Sequence, residues 1–258
     1  MTLETHAPHI PVFKRRLGSW QIAVSRQGFA DDQLRRAYDD CAPSWQRTIE
    51  RLGFPLAYRQ VLRQLVPTLT SDRERPVKVL DCGVGTGAMA LALAAEMDAS
   101  FELSAVDISP VMLEEASGKF ELMGVNCQPQ VADIRALPYA SESFDFVMCA
   151  HAVEHLEVPQ AAISEMYRVL KPGGTLLVVT TRKTLFGTFI HLKWRTHRLS
   201  SSALRQWLTQ SGLTDLETMP VGAGRWTRLW STAVSGRKPL STICAAQDNT
   251  PCAASRSA

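Results

Sequence analysis

The densest chemistry in this chain lies in one run, Val79-Leu80-Asp81-Cys82-Gly83-Val84-Gly85-Thr86-Gly87. An apolar stretch ends in an acid, three glycines follow at alternate positions, and an Ala/Leu-rich segment comes next. Glycines permit backbone conformations with positive φ and close approach of a ligand. A helix start beyond them offers unpaired N–H groups. The spacing is G-x-G-x-G, one residue short of the dinucleotide fingerprint G-x-G-x-x-G, which argues against a nicotinamide cofactor.

Two further acids stand at strand ends. Asp107 follows the apolar run 101–106 and lies 20 residues beyond Gly87. An acid there can accept hydrogen bonds from both hydroxyls of a ribose, or it can cap the next helix. Asp133 sits in Ala132-Asp133-Ile134. Its carboxylate can meet an adenine amino group, or close a local turn.

These residues need elements to hold them. Val77–Asp81, Phe101–Val106, Gln128–Ala132, Phe144–Ala150 and Thr175–Thr180 read as short buried strands. Between them, Thr86–Met97, a segment starting at Pro110, and Pro159–Leu170 read as helices. Lys171-Pro172-Gly173-Gly174 reads as the stop of the last of these. Buried strands alternating with helices imply a parallel sheet covered on both faces. A helix at Ser201–Ser211 and two strand-like stretches, Leu213–Val221 and Arg225–Val234, add a hairpin signal around Gly222-Ala223-Gly224. Residues 1–30 show no sustained period and read as an arm. Residues 31–66 carry apolar residues at helical spacing, interrupted at Pro43 and Pro55. We therefore divide the chain into an arm and helical cap (1–75), an α/β domain (76–235) and a disordered tail (236–258).

At this point the chain resembles the class I S-adenosylmethionine-dependent methyltransferases, in their small-molecule, ubiquinone-biosynthesis-like branch. The resemblance rests on VLDCGVGTG (79–87), AVDISPVML (105–113), VADIRALPYASESFDFVMCAHAVEHL (131–156) and EMYRVLKPGGTLLVV (165–179), in order. It implies a doubly wound, Rossmann-like sheet of seven strands ending in an antiparallel hairpin. It also implies S-adenosylmethionine as cofactor. Asp81, Gly83, Gly85 and Gly87 would surround the methionine part. Asp107 would hold the ribose, Ile108 and Met112 would lie near the adenine, and Asp133 and Ile134 would bind its edge. Ala150 and His151 would lie beside the methyl donor. Cys82 is expected to be a packing residue.

Methyl transfer is a displacement at an activated carbon, so the protein must mainly align the acceptor and, where needed, remove a proton. After the fourth strand the chain reads Cys149-Ala150-His151-Ala152-Val153-Glu154-His155-Leu156, with no N/D-P-P-Y/F sequence, which argues against the common exocyclic-amine enzymes. His155 and His151 are the candidate bases, since neutral imidazole is available near neutral pH. The alternative is that each only bonds locally. Acceptor recognition falls to two added regions. One holds Tyr38 and Trp45. The other, 185–198, interleaves Phe186, Phe189 and Trp194 with Lys193, Arg195 and Arg198. From it we single out Phe189, Trp194, Arg195 and Arg198 as acceptor contacts. The second region can pair with an anionic acceptor, touch a membrane surface, or be a solvated basic loop.

Composition narrows the rest. Residues 1–75 hold 12 Lys/Arg against 8 Asp/Glu, residues 76–182 hold 6 against 14, and residues 183–258 hold 10 against 3. Basic flanks on an acidic middle suit an anionic substrate, lipid or RNA, or are solvated faces. The absence of an RNA-binding module or catalytic cysteine motif argues against RNA. Six cysteines, at 41, 82, 127, 149, 244 and 252, lack zinc spacing, so no metal is expected and buried thiols in a reducing compartment are. There is no apolar run of membrane-spanning length and no apolar signal core at the start, so we expect a cytoplasmic protein. The expected function is methylation of a small molecule, anionic or lipid-like. An RNA methyltransferase and a non-catalytic cofactor-binding regulator are the rivals.

Overall fold

A computed structural model describes residues 9–70, 75–98, 100–182, 196, 199–222 and 231–240. The chain opens with an antiparallel ribbon of β1 (His9–Leu17) and β2 (Trp20–Gln27). Two helices follow, α1 (Asp31–Arg51) and α2 (Phe54–Thr70). The α/β region runs β3 (Val77–Cys82), α3 (Ala88–Ala94), β4 (Phe101–Asp107), α4 (Pro110–Leu122), β5 (Cys127–Val131) and β6 (Phe144–Ala150). It continues with α5 (Pro159–Val169), β7 (Leu170–Thr181), α6 (Ser201–Gln210), β8 (Thr214–Val221) and β9 (Ser231–Arg237).

The main sheet has seven strands in the order β5-β4-β3-β6-β7-β9-β8. Strands β3 to β7 run parallel to one another, and β9 enters antiparallel between β7 and β8. This is the doubly wound sheet with a terminal antiparallel pair that the sequence implies. Strand order reverses at β3, and the crevice beyond the carboxyl ends at such a point is where ligands bind.

Both faces of the central strands are buried, whereas the edge strand β5 is largely exposed. Val79, Phe146, Met148, Leu177 and Val179 pack toward α2, α3 and α4. Leu80, Val147, Cys149, Leu176 and Val178 pack toward α5 and α6. The period of two along each strand sends alternate residues to opposite cores, which is why these strands read as continuous apolar runs. At the far end of β6, buried Asp145 accepts hydrogen bonds from Arg75 Nη2 (2.8 Å), Lys171 Nζ (3.0 Å) and the Lys78 N–H (3.0 Å).

Four expectations need correction. The arm is a ribbon, with Gly18 supplying the positive φ of 59° that a two-residue hairpin loop requires. Helix α1 runs through Pro43 without a break, because Leu34, Ala42 and Ile49 are buried along it and packing overrides propensity. The Lys171–Gly174 segment belongs to β7. Strand β9 runs past residue 235: Gly236 pairs with Leu176, and Arg237 pairs with Thr175 and Thr214.

Candidate active site

The loop after β3 is built by backbone hydrogen bonds. The Gly83 and Val84 N–H groups both donate to Val106 O, at 2.8 and 3.0 Å. Gly83 has φ +74°, and a Cβ there would lie 2.5 Å from the Ala152 Cβ, so the position admits no side chain. Gly87 takes the left-handed conformation at the start of α3, against the Phe120 ring.

Asp107 braces this loop. Its Oδ2 accepts the Gly85 N–H at 2.9 Å and its Oδ1 the Ser109 N–H at 3.0 Å. The helix cap is Ser109, whose hydroxyl accepts the Met112 N–H at 3.0 Å. That leaves Asp107 with further lone pairs for a ligand, since each carboxylate oxygen accepts more than one bond.

A cavity of about 560 Å³ opens over the carboxyl ends of β3, β4, β5 and β6. Asp81, Gly83, Gly85, Asp107, Ile108, Asp133, Ile134, Ala150, His151 and His155 line it. Gly87 and Met112 do not; Met112 is buried. Asp81 lies at the bottom, 1% exposed, and its Oδ2 has no hydrogen-bond partner. Burial and the neighbouring Asp107 push its pKa up to about 8. Burial also raises Asp107. Asp133 closes the local turn: its Oδ1 accepts the Arg135 N–H at 2.8 Å, and the Arg135 guanidinium forks onto it and reaches Asp31 at 2.5 Å. Burial alone would raise Asp133, but the Arg135 hydrogen bonds hold it below the usual range.

Helix α1 covers the cavity and is strapped to the loops beneath it. Ser109 Oγ donates to Asp39 Oδ1 (2.5 Å), and Thr86 Oγ1 donates to Gln46 Oε1 (2.8 Å). The Tyr38 hydroxyl and His155 Nε2 are hydrogen-bonded at 2.7 Å. Trp45 stands edge-on to Tyr38. Both aromatic residues thus border the same space as the glycine loop.

His151 is the most constrained side chain here. Its φ is +58°, unusual for a non-glycine residue, and its N–H is pinned to Val179 O at 2.9 Å. Nδ1 lies 3.2 Å from Thr181 Oγ1. The Thr181 hydroxyl donates to Glu154 Oε1 at 2.8 Å, and the Thr181 N–H donates to Oε2 at 2.8 Å. A hydroxyl has one proton, and here it goes to an acceptor-only carboxylate. Toward His151 the hydroxyl therefore accepts, which places a proton on Nδ1 and leaves Nε2 with its lone pair. Nε2 is buried and has no partner. Burial would raise Glu154, but hydrogen bonding to His151, the charges of His151 and His155, and the Thr181 N–H hold it down at about 2.

Sequence reasoning missed Glu154, Thr181, Arg135 and Ser109. Glu154 was open to view as an acid set between Val153 and His155 at the end of an apolar strand. Phe189, Trp194, Arg195 and Arg198 lie outside the described residues. Among the described residues no group of acids, histidines and cysteines is arranged to hold a metal ion.

Residues 79–174 match the model of a family described as a methyltransferase domain. Residues 79–174 form a methyltransferase domain. S-adenosylmethionine is the cofactor that the sequence motifs imply, and the magnesium protoporphyrin IX methyltransferase of Synechocystis, a structural neighbour, is solved with bound SAH. The chain is 27% identical over 165 residues to the ubiquinone/menaquinone biosynthesis C-methyltransferase UbiE of Geotalea daltonii, covering 62% of this chain and 68% of that one. It is 30% identical over 164 residues to the demethylmenaquinone methyltransferase of Renibacterium salmoninarum, covering 61% and 62%. The chain thus spans about two thirds of the length of these curated relatives. The methyltransferase fold matches that of the magnesium protoporphyrin IX methyltransferase from Synechocystis, with a TM-score of 0.62 at 19% identity, over 80% of this chain and 98% of that one. The cavity fits the cofactor's chemistry. Its lining holds a buried carboxyl with one unpartnered oxygen and a second acid, which suit a ligand bearing an ammonium, a sulfonium and a ribose.

Proposed function

We propose that this chain methylates a small, largely apolar ring compound carrying an ionisable hydroxyl, a quinol-like acceptor, with His151 as the base. Bound S-adenosylmethionine supplies a methyl group on a sulfonium that its positive charge has already activated. Asp81 faces the ammonium of the methionine part, and Asp107 accepts from the ribose hydroxyls. Helix α1 covers both and keeps water out. On the acceptor side the cavity is walled by Leu34, Ile49, Leu52, Phe54 and Leu156, which suits an apolar body.

The observation that carries the reading is the unpartnered Nε2 of His151, a buried atom of a residue that lines that cavity. A phenolic hydroxyl that loses its proton to Nε2 gives its ring electron density, and a ring carbon becomes the nucleophile that would take the methyl group as the methyl–sulfur bond breaks; that carbon's own proton then moves to the ring oxygen and restores the aromatic hydroxyl. His151 then holds the proton, and buried Glu154, ionised and linked through Thr181, stabilises the imidazolium. His155 is not given this role, because its Nε2 is engaged with Tyr38.

The demethylmenaquinone and ubiquinone relatives support a quinol class of acceptor. The test is incubation with methyl-labelled S-adenosylmethionine and a panel of short-chain quinols, phenols and their O-capped forms. Label should enter quinols at carbon and not the capped forms. Label on capped forms, or on none of the panel, would refute the acceptor class.

A further inference from the structure

We propose that the ribbon β1–β2 is a docking wing for an anionic membrane surface. The ribbon is a surface that methyl transfer does not use, and the inference does not rest on the acceptor assignment. Its register sets Leu17 opposite Trp20 and Arg15 opposite Ile22. Opposed residues share a face, and so do residues two apart on a strand, so Arg15, Leu17, Trp20, Ile22 and Val24 lie on one face. That face is in water: Trp20 is 78% exposed, Val24 51%, and Leu17 and Ile22 48% each. A two-stranded ribbon gains nothing by displaying such a strip unless something apolar meets it.

Charge decides the occupant. Residues 9–27 contain Lys14, Arg15, Arg16 and Arg26 and no Asp or Glu. Arg15 and Arg16 are exposed. The tip combines a tryptophan beside the turn with flanking arginines, the residue types that settle at headgroup depth, with apolar neighbours reaching below. The surface that offers negative charge and a yielding apolar layer together is an anionic bilayer. Only Gly28, Phe29 and Ala30 separate β2 from α1, whose Asp31, Leu34 and Tyr38 line the cavity. A wing seated on a membrane would therefore hold the cover of the cavity beside it.

The experiment uses the full chain and vesicle flotation, comparing phosphatidylcholine alone with phosphatidylcholine containing phosphatidylglycerol. The wild type should float with the anionic vesicles, weakly or not at all with neutral ones, and lose binding as salt rises. Trp20→Ser with Ile22→Ser should abolish flotation. Arg15→Gln with Arg16→Gln should weaken it roughly fivefold per arginine, about thirty-fold in all. Both variants should bind S-adenosylhomocysteine as the wild type does, which shows that they are folded. Equal flotation of the wild type and Trp20/Ile22 variants would overturn the proposal, as would a failure of the wild type to float. So would a wild-type dimer in solution that these substitutions turn into a monomer, because the strip would then meet a second copy. RNA binding lost with Arg15→Gln and Arg16→Gln while flotation persists would also overturn it.

Discussion

The Thr181 hydroxyl stands 3.2 Å from His151 Nδ1 and hands its only proton to Glu154. It thereby fixes which imidazole nitrogen is basic. Thr181→Val removes that acceptor and leaves Nδ1–H only the Glu154 Oε1, 3.5 Å away. Turnover should fall about 10-fold or more, since general-base catalysis as a whole contributes roughly 10²–10⁴-fold. Thr181→Ser should restore it. Glu154→Gln should slow turnover as well, because a neutral amide cannot stabilise the imidazolium. Calorimetry with S-adenosylhomocysteine should show near wild-type affinity in all three variants, separating catalysis from binding.

Asp81 predicts a coupling between binding and pH. Its pKa of about 8 lies above that of an exposed aspartate, so the folded chain holds a proton that the unfolded chain releases. Its contribution to stability is complete below about pH 4 and declines as pH rises toward about 8. A ligand ammonium beside Asp81 favours the carboxylate. Binding of S-adenosylhomocysteine at neutral pH should therefore expel a proton, and affinity should rise with pH up to about 8. Calorimetry in buffers of different ionisation heat checks this directly. Asp81→Asn should bind more weakly and lose both the proton release and the pH dependence.

Gly83→Ala tests the loop geometry. The added methyl group would press on Ala152 in a backbone conformation that an L-residue rarely adopts. The cost should be about 1–3 kcal/mol of stability, with weaker cofactor binding. Thermal melting with and without S-adenosylhomocysteine reports both, and Gly85→Ala, where a Cβ meets nothing, should cost less.

The fold was legible where the sequence is locally consistent. Phe144–Ala150 was read to the residue, because a run that is apolar except for Asp145, set between turn signals, has one good conformation in a buried parallel sheet. The ribbon was missed because its apolar residues face water, so Trp20, Ile22 and Val24 alternate without a core to point at. The Lys171–Gly174 segment looked like a stop, yet β7 absorbs its glycines with a register shift against β6.

The site was legible to the extent that a single short segment encodes it. The glycine loop and Asp107 are neighbours in sequence space by strand order, and they meet as that order requires. The Thr181 link was not legible. It joins the ends of β6 and β7 across 30 residues, and nothing in a β-branched strand end marks one threonine as the partner that orients a histidine. Nor did the motif reveal that Arg135 would occupy the Asp133 carboxylate, since that depends on the turn between them.

The measurement that bears most directly on the account is the pH–rate profile of methyl transfer to a short-chain quinol at saturating S-adenosylmethionine, wild type against His151→Ala. We predict an acid limb in the wild type, reporting protonation of Nε2, and its loss in the variant. Turnover of the variant should be lower by about 10²–10⁴-fold at unchanged affinity for S-adenosylhomocysteine. A His151→Ala enzyme that turns over at the wild-type rate and keeps the acid limb would contradict the account.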